Sequence, residues 1–162
     1  MDARSDVLDD SWSTLASIQS PPLSLIIRDI NFYSNNVMAR QVYLSLSQQP
    51  RQPASLARSA QVVHQILNDA GLSDASVDMG NGSGLSNATR ISPRELAQIL
   101  IQANQMPEFV NSLPRIGLEG TVKRRLTDTD MVGRGSIKTG TLNNVRAIAG
   151  YIDGKSGQRY AV

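Results

Sequence analysis

The sequence predicts an α+β domain in which helices pack on an antiparallel sheet. Up to about Ala103, apolar residues recur at the three- and four-residue spacing of amphipathic helices. From Met131 onward, glycines interrupt β-branched residues, and the chain closes with a strand, a glycine-containing loop and a returning strand. Helices followed by strands in separate runs are typical of an α+β fold.

Four helices are predicted in the first part of the chain. Imperfect alternation in residues 11–20 indicates a weak strand, which Pro21 and Pro22 end. The helices follow at Pro22 to about Tyr33, at about Asn36 to Ser47, at Leu56 to Ala70 with Gly71 closing it, and at Ser92 to Ala103 with the capping box Ser92-Pro93-Arg94-Glu95.

The connecting segments and the strands follow from turn residues. Residues 76–79 are predicted to be briefly extended, and Gly80 to Gly84 to form a tight loop. Pro107 and Pro114 bracket a short apolar turn. A strand over 144–153, a hairpin loop over 153–157 and a strand over 158–162 complete the chain, the last strand being cut short by its end.

The composition is that of a packed globular protein. Its residues are 40% hydrophobic and 19% charged. A length of 162 residues is enough for one core but not for two. We therefore expect a lead-in over residues 1–10 and one domain, or a large piece of one, over residues 11–162. Residues 1–10 lack the basic and then apolar pattern of a signal peptide, and no apolar run approaches the roughly 20 residues of a membrane span.

Several classes of function are disfavoured. The absence of cysteine excludes disulfides and thiolate metal sites, and a net charge of +2 is too weak to indicate nucleic acid. We interpret Lys123-Arg124-Arg125 as a solvated basic face, His64 as structural or exposed, and Glu95 and Glu119 as a cap and a surface charge. No metal and no cofactor is predicted.

Two short motifs carry the chemical signal. Lys138-Thr139-Gly140-Thr141 follows a glycine-rich approach, and Ser34-Asn35-Asn36 lies 104 residues earlier (138 − 34 = 104) at a helix junction. A Lys-Thr-Gly and a Ser-x-Asn element, together with Ser-x-x-Lys, form the motif set of class A β-lactamases and penicillin-binding proteins. On local sequence alone, Ser34 and Asn36 would more simply be helix caps, but the Lys-Thr-Gly partner reverses that preference.

The chain resembles the low-molecular-mass class C penicillin-binding proteins, the D-alanyl-D-alanine carboxypeptidase/endopeptidases of bacterial cell walls. The resemblance covers roughly residues 12–162 and rests on the order of several blocks. These are Ser20-Pro21-Pro22-Leu23, Asn31-Phe32-Tyr33-Ser34-Asn35-Asn36, Asn81-Gly82-Ser83-Gly84-Leu85-Ser86, Gly117-Leu118-Glu119-Gly120-Thr121, Lys138-Thr139-Gly140-Thr141-Leu142 and Ala149-Gly150-Tyr151. It implies a β-lactamase/transpeptidase-like fold.

The resemblance also implies residue roles. Lys138, on a strand at a sheet edge, and Thr139 would engage the terminal carboxylate of the substrate, and Gly140 would let the substrate backbone lie close. The backbone N–H of Thr141 would form half of an oxyanion hole. Ser34 would relay a proton to the leaving nitrogen, and Asn36 would hydrogen-bond the substrate amide and help to orient the base. Asn35 occupies the variable middle position of its motif.

The serine nucleophile is missing from this chain. The residues three positions before the lysines are Gly120, Gly135 and Ile152, so no Ser-x-x-Lys element is present. In the resembled family that element lies upstream, so we expect the chain to be the C-terminal part of an incomplete domain that does not acylate alone. Smaller departures from the family are Phe32 for a usual lysine, Arg40 for a usual acidic residue and Asn81 for a common aspartate.

Three functional hypotheses follow. The first is part of a serine DD-carboxypeptidase/endopeptidase that acts on peptidoglycan stem peptides, binds β-lactams and resides in the periplasm or another extracytoplasmic space. The second is a non-catalytic relative that binds wall peptides or a partner protein, and the third is a serine β-lactamase. Apolar surface where the missing part would pack also makes a homodimer plausible.

Overall fold

A computed structural model describes residues 13–72 and 77–162. The predicted lead-in 1–10, residues 11–12 of the weak strand and Ser76 lie outside the described residues. The elements in chain order are the helices α1 (Leu23–Tyr33), α2 (Asn36–Ser45), α3 (Leu56–Asp69), α4 (Pro93–Ala103) and α5 (Pro107–Ser112), a 3-10 turn (Gly120–Val122), and the strands β1 (Gly135–Leu142), β2 (Val145–Asp153) and β3 (Arg159–Ala161).

The predicted strand before α1 is wrong over the described part of that segment. Residues 13–20 have no regular structure, and Leu15 and Ile18 are 98% and 96% exposed. An isolated run of alternating residues gains nothing from being extended unless a neighbouring strand accepts its backbone hydrogen bonds. No such neighbour is present among the described residues.

The four predicted helices are present in the predicted order, and α5 is a fifth that was not predicted. Ser92 caps α4 by accepting a hydrogen bond from the Glu95 N–H, and the Glu95 carboxylate accepts one from the Ser92 N–H. Gly71 follows α3 with φ +71°. The apolar turn predicted after Pro107 is instead the helix α5. Proline fits the first position of a helix as well as a break between elements, so the residue alone does not decide between them.

The sheet is antiparallel, with strand order β1-β2-β3. β1 pairs with β2 from Gly135 opposite Ile152 to Leu142 opposite Val145, and the hairpin turn between them contains Asn144 at φ +64°. β2 pairs with β3 as the predicted final hairpin. The α+β class with an antiparallel sheet is therefore confirmed.

The core joins the helices to the sheet. Tyr151 of β2 packs with Leu100 of α4 and with Leu113, and its hydroxyl donates a 2.6 Å hydrogen bond to the Leu100 carbonyl. A second small cluster contains Ile116, Val122 and Ile137, all buried. That cluster fixes the 3-10 turn against the start of β1.

The outer edge of β1 is paired over its first residues only. The Ile137 N–H donates to the Pro114 carbonyl, and the Ile116 N–H donates to the Gly135 carbonyl. Because backbone groups alternate sides along a strand, the N–H and C=O groups of Thr139 and Thr141 also face away from β2. The second half of β1 therefore has no backbone partner on this edge within the described part of the chain.

Candidate active site

Ser34 is held at the junction of α1 and α2. It caps the end of α1 in the left-handed conformation, with φ 53° and ψ 47°. The following Asn35 N–H returns to the Ile30 carbonyl at 3.1 Å, which closes the helix. Among the described residues, Ser34 is one of four non-glycine residues with positive φ, and such conformations collect at functional sites.

The alternative that Ser34 or Asn36 opens α2 as its N-cap is wrong, because Asn35 performs that role. The Asn35 side chain accepts the Met38 N–H at 3.0 Å and so opens α2. Ser34 and Asn36 flank this residue, and their side chains line a cleft. The middle position of the motif therefore serves the helix, which leaves the outer two positions available for chemistry.

A glycine loop holds Asn36. The Asn36 amide nitrogen donates a 2.6 Å hydrogen bond to the Ser83 carbonyl. Gly82 has φ +70°, and a Cβ there would lie 2.4 Å from the Cβ of Tyr43, so the turn passes directly over this buried ring. Asn81 accepts hydrogen bonds from the N–H and hydroxyl of Ser83, a role that needs only a side-chain oxygen and that an aspartate would equally perform.

Lys138 projects from β1 towards Ser34. Its ammonium donates 2.7 Å hydrogen bonds to the Ser34 hydroxyl and to the Thr139 carbonyl. Burial lowers the pKa of Lys138 from its ordinary 10.5. An ammonium that gives up its proton more readily, placed on a hydroxyl oxygen, is suited to proton transfer.

The two threonines of the motif face the open edge. The Thr139 and Thr121 hydroxyls lie 3.2 Å apart, so the 3-10 turn orients the Thr139 side chain. The Thr141 N–H faces outward from the sheet, where it can donate to an incoming oxygen. The backbone N–H groups of Thr139 and Thr141 lie on the same side of the strand as the hydrogen bond from Ile137 to Pro114.

Gly140 is not required by the fold. A Cβ at this position would meet only the Cβ of Ala147, at an ordinary 3.7 Å, and its φ is not positive. Gly150 differs, because a Cβ there would lie 2.2 Å from the Ser136 carbonyl oxygen. Since Gly140 lines the cleft, the space above it is available to a bound molecule.

The cleft has a volume of about 700 Å³ and collects every predicted site residue. Ser34, Asn36 and the four residues from Lys138 to Thr141 all line it. In the described ranges its charged lining residues are Lys138 and Arg125, and no carboxylate faces it. The cleft is therefore electropositive and suits an anionic ligand.

Sequence reasoning missed Arg125. Lys123-Arg124-Arg125 is a solvated basic face, as predicted, since all three residues are exposed, but Arg125 also lines the cleft. A charge run carries no signal of which member turns inward. His64, by contrast, lies on α3 and does not line the cleft.

The described residues give no indication of a metal site or a membrane span. No group of three or more histidine or acidic side chains among them is arranged to hold a metal ion. Within the same ranges, no helix combines the length and apolar character needed to cross a bilayer. The chemistry of the cleft is that of hydroxyl, amide, ammonium and guanidinium groups.

Comparison with known proteins identifies the family of the chain. The model of the D-Ala-D-Ala carboxypeptidase 3 (S13) family matches residues 5–162. Carboxypeptidase DacB of Mycolicibacterium smegmatis is 29% identical over 156 residues, covering 90% of this chain and 34% of the relative. A D-alanyl-D-alanine carboxypeptidase of an Actinomadura species is 29% identical over 152 residues, covering 89% of this chain and 28% of the relative.

Solved structures confirm the fold. Penicillin binding protein 4 from Haemophilus influenzae superposes with a TM-score of 0.80 at 24% identity, over 86% of this chain and 32% of that one. A penicillin G-acylated predatory endopeptidase from Bdellovibrio bacteriovorus superposes with a TM-score of 0.64 at 19% identity, over 86% and 37% of the two chains. The chain thus spans about a third of the length of the relatives it matches.

Proposed function

The chain belongs to the D-Ala-D-Ala carboxypeptidase 3 (S13) family, and we propose that it forms the substrate-binding and proton-transfer part of a serine D-alanyl-D-alanine carboxypeptidase/endopeptidase. The substrates are the stem peptides of peptidoglycan, and β-lactams bind in the same cleft. The observation that carries this proposal is the 2.7 Å contact between the Lys138 ammonium and the Ser34 hydroxyl, which joins two motifs 104 residues apart.

Recognition begins with the terminal carboxylate. In a peptide ending in D-Ala-D-Ala this group lies one residue beyond the scissile bond. We assign it to Lys138 and Thr139, because an ammonium and a hydroxyl at the open edge of β1 attract and hydrogen-bond a carboxylate. Binding of the carboxylate there places the preceding amide, which contains the scissile bond, against β1.

The scissile carbonyl and its flanking amide lie along the strand edge. The Thr141 N–H donates to the carbonyl oxygen, which carries the negative charge once a nucleophile attacks. Gly140 leaves room for the peptide plane to approach the strand. Asn36, fixed by its bond to the Ser83 carbonyl, uses its remaining oxygen and N–H to bind the amide of the acyl portion.

Ser34 and Lys138 deliver the proton to the leaving nitrogen. Because Lys138 donates to the Ser34 oxygen, the Ser34 hydroxyl is free to donate its own hydrogen elsewhere. When the C–N bond breaks, Ser34 protonates the departing amine and takes a proton from the Lys138 ammonium. Burial lowers the pKa of Lys138, which favours this transfer.

The nucleophile must come from outside this chain. None of its lysines is preceded three positions earlier by serine, so the proposed enzyme requires a Ser-x-x-Lys element from another part of a longer protein. We expect the 162-residue chain alone to form no acyl-enzyme. The matched relatives, which are about three times as long, give room for that element.

Labelled penicillin tests this assignment on the full-length protein that contains the chain. We expect a covalent adduct that survives denaturing electrophoresis, and release of D-alanine from a peptide ending in D-Ala-D-Ala. Lys138→Ala should lower both rates by at least about a hundredfold. Lys155→Ala is the matched control, since Lys155 is exposed and pairs with Asp130 outside the cleft.

The outcomes separate the alternatives. An intact protein that forms no adduct and releases no D-alanine would overturn the assignment. Peptide binding without an adduct, from a gene lacking Ser-x-x-Lys, identifies the non-catalytic relative. Rapid turnover of the penicillin identifies a β-lactamase.

Two further proposals concern the whole protein. Peptidoglycan substrates place it in the periplasm or another extracytoplasmic space, which fractionation of the source cells would test. Exposed apolar residues on the sheet, including Val145, Ile148 and Tyr160, support a homodimer or packing against the rest of the protein. Light scattering on the full-length protein distinguishes these two occupants of that face.

A further inference from the structure

The cleft contains a second cation that the proposed mechanism does not use. Arg125 lines it together with Lys138, Thr139 and Thr121. We propose that Arg125 is a binding residue for the terminal carboxylate of the substrate, acting beside Lys138 and Thr139. This inference rests on the proposed function and names a specificity-determining contact of the same site.

The position of Arg125 is fixed by a buried neighbour. Val122 is fully buried in the cluster with Ile116 and Ile137, and Ile137 directly precedes Lys138. The Arg125 N–H donates to the Val122 carbonyl at 3.0 Å, so the turn continues to Arg125. The same core therefore holds both cations of the cleft at its wall.

Arg125 has no anionic partner within residues 13–72 and 77–162. The ion pairs of these ranges lie elsewhere, at Arg115–Glu119, Arg134–Asp130, Lys155–Asp130 and Arg159–Asp153. Lys123 and Arg124 are also exposed, yet only Arg125 of this basic run lines the cleft. An unpaired guanidinium beside a partly buried ammonium leaves the cleft with uncompensated positive charge.

A carboxylate is the anion that this arrangement fits. A guanidinium offers parallel N–H donors matched to the two oxygens of a carboxylate, whereas an ammonium acts as a point charge. Thr121 belongs to the same turn as Arg125 and contacts the Thr139 hydroxyl at 3.2 Å. This contact joins the segment that carries Arg125 to Thr139, the residue assigned to the carboxylate.

Competition against acylation by labelled penicillin, measured before the peptide is consumed, tests the inference on the full-length protein and gives the affinity for each peptide. The probes are an N-acetylated peptide ending in D-Ala-D-Ala and the same peptide with a C-terminal amide. Arg125→Gln should weaken binding of the acid at least about tenfold and leave binding of the amide unchanged. Arg124→Gln is the matched control and should match the wild type with both peptides. Arg125→Lys should restore part of the affinity for the acid, because it keeps the charge but loses the bidentate geometry.

Salt provides a second readout. Raising the ionic strength should weaken binding of the acid peptide more in the wild type than in Arg125→Gln. The variant lacks one of the charge pairs that salt screens. Equal affinity of the wild type and Arg125→Gln for the acid would overturn the inference, as would a wild type that does not distinguish acid from amide. The labelled-penicillin adduct of the same wild-type sample reports separately on the proposed function.

Discussion

Ser34 adopts a backbone conformation that glycine would adopt more easily. A left-handed residue with a Cβ costs roughly 1–2 kcal/mol, and helices usually end at this conformation with glycine. The serine is retained although the fold would prefer glycine. The side chain that reaches Lys138 therefore accounts for the choice better than stability does.

Replacement of Ser34 separates its two roles. Both Ser34→Gly and Ser34→Ala remove the hydroxyl, but only glycine relieves the left-handed strain. Ser34→Gly should be more stable to urea than Ser34→Ala by about 1 kcal/mol. In the full-length protein, both substitutions should lower the rate of D-alanine release by at least about a hundredfold. Equal stabilities would mean that the residue is not held at positive φ.

Lys138 makes stability depend on pH. Burial lowers the pKa of Lys138 in the folded chain below the 10.5 of the unfolded chain. At pH values between the folded and the unfolded pKa, the unfolded chain therefore binds more protons. The free energy of unfolding therefore rises with pH through that window, and the desolvation penalty is fully present below it. We expect the stability difference between the wild type and Lys138→Met to grow in favour of the wild type as the pH approaches 10.5. Urea titrations at several pH values measure it, and a difference that shrinks with rising pH would contradict this prediction.

At the scale of elements, the open half of β1 combines a binding edge with a glycine that the fold does not need. Gly140→Ala meets only an ordinary contact with Ala147. We expect unfolding free energy to stay the same or to rise by about 0.5 kcal/mol, because alanine restricts the unfolded chain. Penicillin acylation of the full-length protein should fall at least about tenfold, because the added methyl occupies the space of the substrate.

A glycine elsewhere on the sheet provides the contrast for this prediction. Gly150→Ala would place its Cβ 2.2 Å from the Ser136 carbonyl oxygen, so it should lower stability by several kcal/mol. If Gly140→Ala behaved in the same way, the glycine would be structural and its assignment to substrate approach would be wrong.

Elements with a local chemical signature could be predicted from the sequence. The capping box at Ser92 and the glycine after α3 act through neighbours in the chain, so local sequence is sufficient. α5 was missed because Pro107 is compatible with both a break and a helix start. β1 does not stand out by pattern, since Lys-Thr-Gly-Thr has neither alternation nor branched apolar residues, and its pairing with β2 defines it.

At the scale of the whole molecule, the site could be predicted only where motifs are specific. The pairing of Ser34 with Lys138 followed from the family resemblance, and the structure places their side chains in contact. Arg125 could not be found in this way, because its location depends on Val122 packing against Ile116 and Ile137. Three-dimensional contacts between distant segments decided which of three adjacent basic residues enters the cleft.

The helices and the sheet are joined through Tyr151, whose hydroxyl reaches the Leu100 carbonyl at 2.6 Å. Tyr151→Phe should lower the free energy of unfolding by about 1 kcal/mol, because a buried hydrogen bond is lost while the ring still packs. Tyr160→Phe, at a half-exposed tyrosine of β3, should change it by less than about 0.5 kcal/mol. Urea unfolding measures both, and an equal loss in the two variants would contradict a joining role for Tyr151.

The partly unpaired edge of β1 also bears on solubility. Unsatisfied strand edges can add a strand from a neighbouring copy and start aggregation. Here Pro114 to Ile116 cover the first half of the edge, and the remainder is short, polar and carries the charge of Lys138. A strand edge so limited can receive one short peptide at a time while resisting growth into a continuous intermolecular sheet.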